Sequence, residues 1–337
     1  MMKKLTATYR IVTPMFIGDA EQKATSIRPS AIKGALRFWW RALNWGKYLE
    51  REKADVSKAL SALHTEEARL FGSAVENNKG GQGVFWLKVI KQPPPKATQQ
   101  AWPESPQKGQ KKEAIGSSYF GFGLWADKTN PQHRESFIEG NTFSLSFCFK
   151  PKTALEDIQE IKKTLKVLSL FGGLGGRSRR GFGSVCLTEL IDTEKTERFD
   201  DSLLAYREKT RQVINHYHDV KEVPYTAFSR YARFEIVEQG LNSREIHGNA
   251  GYAYKQYRGN LKKAEKIPFG LPLKEIDENR RASPLLYHIH PVQEHRFVVG
   301  VLYLPAVFHH IKPEYRTNHF DAFYRPITDF LNKEAIE

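Results

Sequence analysis

The 337-residue sequence contains two cysteines, Cys148 and Cys186. Two thiols cannot build a disulfide framework or a four-cysteine zinc site. Both sit among alternating apolar residues and read as small core residues of a reducing compartment. Long apolar runs are absent as well. The longest stretch, residues 297–308, contains Gly300 and Pro305 and falls far short of the ~20 residues a membrane helix needs. No secretory signal is visible: residues 1–4 carry charge, but the next segment alternates and meets Pro14. The expectation is a soluble cytoplasmic protein with no membrane partner. Carboxylates are in deficit, with 52 Lys plus Arg against 38 Asp plus Glu and a net charge of +14. That excess favours a polyanionic partner, nucleic acid ahead of an anionic membrane surface.

Apolar residues at 40% and charged residues at 27% exclude global disorder, and the length suits two domains or one large one. Residues 5–12 alternate and predict a strand. With Ser30 as N-cap, residues 31–45 have helical spacing, Ile32, Leu36, Trp39 and Leu43 forming the apolar face. A second helix is predicted over residues 55–71, a turn region over 77–83 and a strand over 84–90. Residues 92–118, rich in Pro, Gln and Lys, read as a flexible insertion, disordered in isolation. A strand at 141–150, a helix ending at Phe171, a Gly/Arg loop at 172–183 and a strand at 184–190 follow. This order is the βαββαβ ferredoxin-like plan, an α+β fold whose open sheet face is a common RNA platform. Residues 1–190 form that unit, and 191–337 a second, divergent α+β domain. There, a helix is expected at 201–217, strands at 231–238, 285–290 and 296–304, and a terminal helix at 319–332, around a long, basic, Tyr-rich stretch at 240–283.

Lys33, Arg37 and Arg41 are spaced i, i+4, i+8 on the first helix, beside Trp40 and after Arg28, with no acid between Lys33 and Lys47. Like charges so spaced repel by about 0.2–0.5 kcal/mol per pair, a cost that a polyanion lying along the stripe would remove; the bland alternative is a solvated basic face. Residues 172–183 hold six glycines and three arginines, Arg177, Arg179 and Arg180, in twelve positions. Glycines allow close backbone approach and arginines bind phosphate in a planar fork. No GK[ST] ends the loop and the dinucleotide spacing fails at Ser178, so no nucleotide cofactor is expected. The alternative is a flexible helix-to-strand connection. Tyr252, Tyr254 and Tyr257 interleave with Lys255, Arg258, Lys262, Lys263 and Lys266, a pattern suited to single-stranded nucleic acid or to a plain basic loop. Arg280 and Arg281 are equally ambiguous. Catalytic candidates are few: the His218–Asp219 pair, His288 with His290, the adjacent His309 and His310, and loop acids Asp19 and Glu21. None supplies a recognisable set of metal ligands, so neither a metal nor a catalytic residue is expected.

The runs Thr13-Pro14-Met15-Phe16-Ile17-Gly18, Arg28-Pro29-Ser30-Ala31-Ile32-Lys33-Gly34-Ala35-Leu36-Arg37-Phe38-Trp39-Trp40-Arg41 and Arg69-Leu70-Phe71-Gly72, with the Gly/Arg loop, resemble the RAMP superfamily of CRISPR-associated proteins. The RFWWRA form of the helix resembles the branch found as the first RAMP subunit of type III-B (Cmr) effector complexes. Phe269-Gly270-Leu271-Pro272 and Arg281-Ala282-Ser283-Pro284-Leu285 are similar to the family as well. The resemblance implies one or two ferredoxin-like (RAMP/RRM-like) units in a subunit near the end of a ribonucleoprotein filament used in antiviral defence. It implies contact with guide RNA, single-stranded target RNA and neighbouring RAMP subunits, and no target cleavage by this chain, a task of the repeated backbone subunit's loop aspartate; Asp19 lies in roughly that region. Lys33, Arg37 and Arg41 match the family's RNA-facing helix, and the Gly/Arg loop its second RNA contact. The expected RNA-binding set is Arg28, Lys33, Arg37, Trp40, Arg41, Arg177, Arg179, Arg180, Lys255, Arg258 and Arg281. The alternatives are a metal-dependent endoribonuclease of the same superfamily, for guide-RNA processing or target slicing, and a mainly structural scaffold.

Overall fold

A computed structural model describes residues 3–19, 21, 23–76, 79–94, 101–128, 132–192, 195–273, 277–293, 295–307 and 320–336. The first strand, β1 (Lys4–Ile11), buries Leu5, Ala7, Tyr9 and Ile11 and sends Lys4, Thr6, Thr8 and Arg10 to the other face. Helix α1 (Pro29–Arg51) has proline in its first turn, where the missing N–H is not needed. Arg28 rather than Ser30 therefore occupies the N-cap, because Pro29 fixes its own φ and starts the helix earlier than the spacing predicts. Helix α2 (Val56–Phe71) is capped by Asp55, whose carboxylate accepts from the Lys58 N–H at 3.0 Å. It stops at Gly72, whose φ is +88° and where a Cβ would lie 2.8 Å from the Gly81 carbonyl oxygen.

The predicted turn region contains a hairpin, β2 (Gly72–Glu76) with β3 (Lys79–Gln82), followed by β4 (Phe85–Lys91), α3 (Lys112–Phe120), β5 (Thr142–Phe149), α4 (Leu155–Phe171), β6 (Val185–Ile191) and β7 (Thr196–Arg198). The first sheet has the antiparallel order β4-β5-β1-β6-β7. Apart from β7 this is the strand order 2-3-1-4 of the ferredoxin-like plan. Its inner face meets α4, where the Tyr9 hydroxyl donates to the Leu165 carbonyl at 2.8 Å.

The second half comprises α5 (Leu203–Asn215), β8 (Arg233–Gly240), α6 (Ser243–Asn260), a 3-10 turn (Ala264–Phe269), β9 (Leu271–Leu273), β10 (Asp277–Arg281), β11 (Leu285–Val292), β12 (Arg296–Tyr303) and α7 (Phe320–Glu334). Its sheet order β11-β12-β8 repeats strands 2-3-1 of the plan, and no fourth strand occurs among the described residues. One contiguous apolar core runs through both sheets. No helix among the described residues is long and apolar enough to cross a membrane.

Two expectations are corrected. The 240–283 stretch is built around α6, which Asn242 caps by accepting from the N–H groups of Arg244 and Glu245. Residues 101–118 of the 92–118 insertion are packed on the fold; residues 95–100 lie outside the described residues. Trp102 anchors it against Phe182 and His247, ring centroids 4.9 and 5.1 Å away, with the Arg244 guanidinium over its face at 5.4 Å. Helix α3 then meets α6 backbone to backbone: a Cβ on Gly116 would lie 1.8 Å from the Gly248 carbonyl oxygen. Composition reads Pro and Gln as unstructured, but one tryptophan and a glycine-faced helix suffice to dock the segment.

The open sheet face is also not the expected RNA platform. Stacking recognition on such a face needs aromatic side chains on its central strands. Here β1 and β5 place Thr6, Thr8, Ser144, Ser146 and Cys148 on that side, Ser144 and Ser146 buried, with Trp86 and Ile90 exposed on the edge strand.

Candidate nucleic-acid interface

The Gly/Arg loop is not a flexible connection. Its glycines let it press against protein rather than ligand. Gly175 (φ +89°) would set a Cβ 2.5 Å from the Phe16 carbonyl, and Gly183 (φ +61°) one 2.1 Å from the Leu174 carbonyl. The Thr13 hydroxyl donates to the Gly181 carbonyl at 2.6 Å, and the Gly183 N–H donates to the Pro14 carbonyl at 2.9 Å. From the second half, Tyr287 N–H donates to the Arg179 carbonyl at 3.0 Å, and His247 Nε2–H to the Arg180 carbonyl at 2.7 Å. Segments far apart in sequence thus hold one short loop in a single conformation.

That rigidity aims its arginines. Arg177 donates from Nε to the Phe122 carbonyl at 2.8 Å and also from Nη2. Arg179 lies 5.0 Å over the Phe38 ring and donates to the Ser283 carbonyl at 3.1 Å. Arg180 is held between the rings of Phe120 and Tyr254, at 5.4 and 4.6 Å, and donates to the Tyr254 hydroxyl at 3.1 Å. All three open on a cleft of about 940 Å³, together with Lys255 and Arg258 of α6 and Arg281 of β10, and the described lining contains neither Asp nor Glu. Burial first, and neighbouring arginines second, push Arg177 and Arg179 below the usual arginine range, yet a guanidinium stays charged at neutral pH. Six cations face one acid-free space, an electrostatic arrangement suited to a polyanion. Arg180 Nη1 and Arg258 Nε are buried there without a hydrogen-bond partner, which leaves donors for a ligand.

Six of the eleven expected residues therefore converge. The α1 stripe is placed otherwise: Lys33, Arg37 and Arg41 face α2. Arg41 Nη1 lies 2.7 Å and Arg37 Nε 3.7 Å from the Glu67 carboxylate. Lys33 donates to the Phe71 carbonyl at 3.1 Å and Arg37 to that of Gly72. The stripe neutralises a buried acid and caps the carbonyl end of α2, so its repulsion is relieved within the fold. Trp40 cannot stack on a base: it is fully buried, with Nε1–H donating to Glu160 at 2.8 Å. Arg28 stays exposed beside the loop, donating to the Gly18 carbonyl at 2.9 Å. We expect Arg41→Ala to cost about 1–3 kcal/mol by leaving Glu67 short of its nearest cation, seen as a lower melting temperature with RNA affinity intact. Unchanged stability with weakened RNA binding would return the stripe to the ligand.

The tyrosine expectation is corrected in part. Tyr254 is buried, stacking with protein, and Tyr257 packs 5.2 Å from Phe330. The cleft's aromatic wall comes instead from Tyr119, Phe120, Phe122 and Trp125. The sequence signal for them is the aromatic–glycine run of residues 119–125 that follows the insertion. Tyr119 accepts from Arg258 Nη1 at 2.9 Å.

The catalytic candidates are otherwise engaged. Asp19 accepts from the N–H groups of Glu21 and Lys23 and from the Thr25 hydroxyl at 2.9–3.2 Å, bonds that lower its pKa. His218 and Asp219 are exposed, 3.1 Å apart. His288 and His290 are buried and hydrogen-bonded within the fold; His309 and His310 lie outside the described residues. No group of three or more His, Cys, Asp or Glu among the described residues could hold a metal ion.

The chain is 27% identical over 316 residues to the CRISPR system Cmr subunit Cmr1-1 of Pyrococcus furiosus, covering 87% of this chain and 84% of that one. The crystal structure of Cmr1 from Pyrococcus furiosus in its apo form superposes with a TM-score of 0.59 at 20% identity, over 97% of both chains. A chain in the cryo-EM structure of the type III-B Cmr-beta complex bound to cognate target RNA gives 0.56 at 13% identity, over 98% of this chain and 100% of that one. The model of the RAMP superfamily matches residues 8–186, from β1 through the Gly/Arg loop to the start of β6. With more than half of its length in that match, the chain belongs to the RAMP superfamily.

Proposed function

We propose that this chain is a non-catalytic, RNA-binding subunit of a type III-B CRISPR ribonucleoprotein effector in the cytoplasm, contacting guide and target RNA and neighbouring subunits in antiviral defence. The convergence of Arg177, Arg179, Arg180, Lys255, Arg258 and Arg281 on one acid-free cleft carries the reading. Support comes from the relative named a Cmr subunit and from the likeness to a chain of the type III-B Cmr-beta complex, a complex bound to target RNA. Natural guides vary in sequence, so the cleft should hold phosphates and read few base edges.

The test is single-stranded RNA titration across salt concentrations. Log affinity should fall with log salt by about 0.7 per phosphate contact. The double variant Lys255→Ala, Arg258→Ala should bind more weakly and lose about 1.4 from that slope. Identical affinity and slope would remove the cleft from RNA binding. RNA incubated with the chain and divalent metal should stay intact. Specific cleavage abolished by Asp19→Ala would replace this reading with that of a nuclease.

A further inference from the structure

We propose that the Phe122 ring is a stacking platform for one unstacked nucleobase at the mouth of the cleft, so that the cleft admits single-stranded RNA and rejects duplex. This rests on the RNA-binding reading above and adds a base contact to it.

Phe122 is 66% exposed, far more than its aromatic neighbours at the cleft, Phe120 at 3% and Trp125 at 6%. A phenylalanine left in water forgoes the stabilisation of burial, and an exposed ring beside a row of cations offers a face to an occupant. Phe122 is held rigidly: the turn after α3 passes through Gly123 with φ +82°, and the two donors of Arg177 grip the Phe122 carbonyl. The ring stands edge-to-face on Trp125, centroids 5.5 Å apart at 85°. The ring therefore has a fixed direction and an open surface, and the residue gripping its backbone is itself one of the six cations.

An aromatic face beside backbone-binding cations is how sequence-tolerant single-strand sites work, because every base has a π-face. In an A-form duplex the bases are stacked on one another and present only edges and backbone. Phe122 would find no partner there. The phosphates flanking the unstacked base fall to the cleft floor, where Arg180 Nη1 and Arg258 Nε lack partners.

The experiment compares full-length wild type, Phe122→Ala, Phe122→Trp and Arg258→Ala by fluorescence anisotropy, with single-stranded RNA and an RNA hairpin duplex over a range of salt. Phe122→Ala should weaken single-strand binding between about fivefold and a hundredfold. Its salt slope should be unchanged, since no phosphate contact is removed. Duplex affinity should not change, and Phe122→Trp should bind like wild type. The side chain is exposed, so both variants should melt like wild type. Intact single-strand affinity in Phe122→Ala, alongside loss in Arg258→Ala, overturns this inference and leaves the RNA-binding reading standing. A reduced salt slope in Phe122→Ala also overturns it, by tracing the loss to a displaced Arg177. A wild type that binds no RNA overturns both.

Discussion

Gly248→Ala should lower the melting temperature by ~4 °C, about 3 kcal/mol at this chain length, and weaken RNA binding with it. A Cβ at Gly248 would lie 2.1 Å from the Glu113 carbonyl oxygen, and one at Gly251 2.6 Å from that of Gly116. These neighbours are backbone, which cannot swing aside as a side chain can. Helix α3 must therefore back away from α6. In doing so it would draw Tyr119 from Arg258 and Phe120 from Arg180, contacts of 2.9 Å and 5.4 Å that shape the cleft. Limited proteolysis should open residues 101–128 first. Gly34→Ala in α1 is the control of opposite sign. Nothing lies within 4 Å of a Cβ there, so the change should stabilise by about 0.5–1 kcal/mol through backbone entropy. A Gly248→Ala protein as stable and protease-resistant as wild type would show that the two helices are not in contact.

Acidification from pH 7 to pH 5 should loosen the join between the two sheets, above the range in which most carboxylates titrate. Three buried histidines hold that join. His247 donates to the Arg180 carbonyl, and His288 Nδ1–H to the Gly172 carbonyl at 2.7 Å. His290 stacks on Tyr206 at 3.9 Å and donates to Asp201 at 3.3 Å. Burial lowers the pKa of His247 to about 4 and that of His288 to about 3; His290 is lowered too, burial outweighing the opposing pull of Asp201. The unfolded chain takes up these protons near pH 6.5, whereas the folded chain keeps His247 neutral down to about pH 4 and His288 down to about pH 3. Between those limits the unfolded state binds more protons, so stability falls as pH falls, by up to about 1.4 kcal/mol per pH unit for each histidine. Asp201 is held below the usual carboxylate range by His290 and Lys209 against its burial. Its own contribution is lost only at lower pH, through the carboxylate range. Urea titrations at pH 7, 6 and 5 would measure the slope, and His288→Gln should flatten it. A midpoint that does not move between pH 7 and pH 5 would show that these histidines are already protonated in the fold, or exposed.

Much of this protein is legible from local pattern. Alternation over residues 5–12 and the helical stretch at 55–71 rest on short-range rules, and so do the order of elements in the first unit and the basic excess. Arg177, Arg179 and Arg180 stand out because glycine and arginine are concentrated in one short run. What charge spacing could not say was where a cation points. Lys33, Arg37 and Arg41 look uncompensated because Glu67 lies 26 residues beyond Arg41 and reaches the stripe only once α2 folds back on α1. Trp40 looks like an exposed stacking face until α4 brings Glu160 over it.

Local sequence by itself determined most elements of the first unit, the family signature and the basic excess, since each depends on composition or on neighbours within a few turns of chain. The tertiary structure alone decided which cations line the acid-free cleft and which pair within the fold. That choice depends on carboxylates, carbonyls and rings brought in from distant segments. Docking of the insertion through Trp102 and Gly116 turned a scattered set of basic residues into a cleft with a wall.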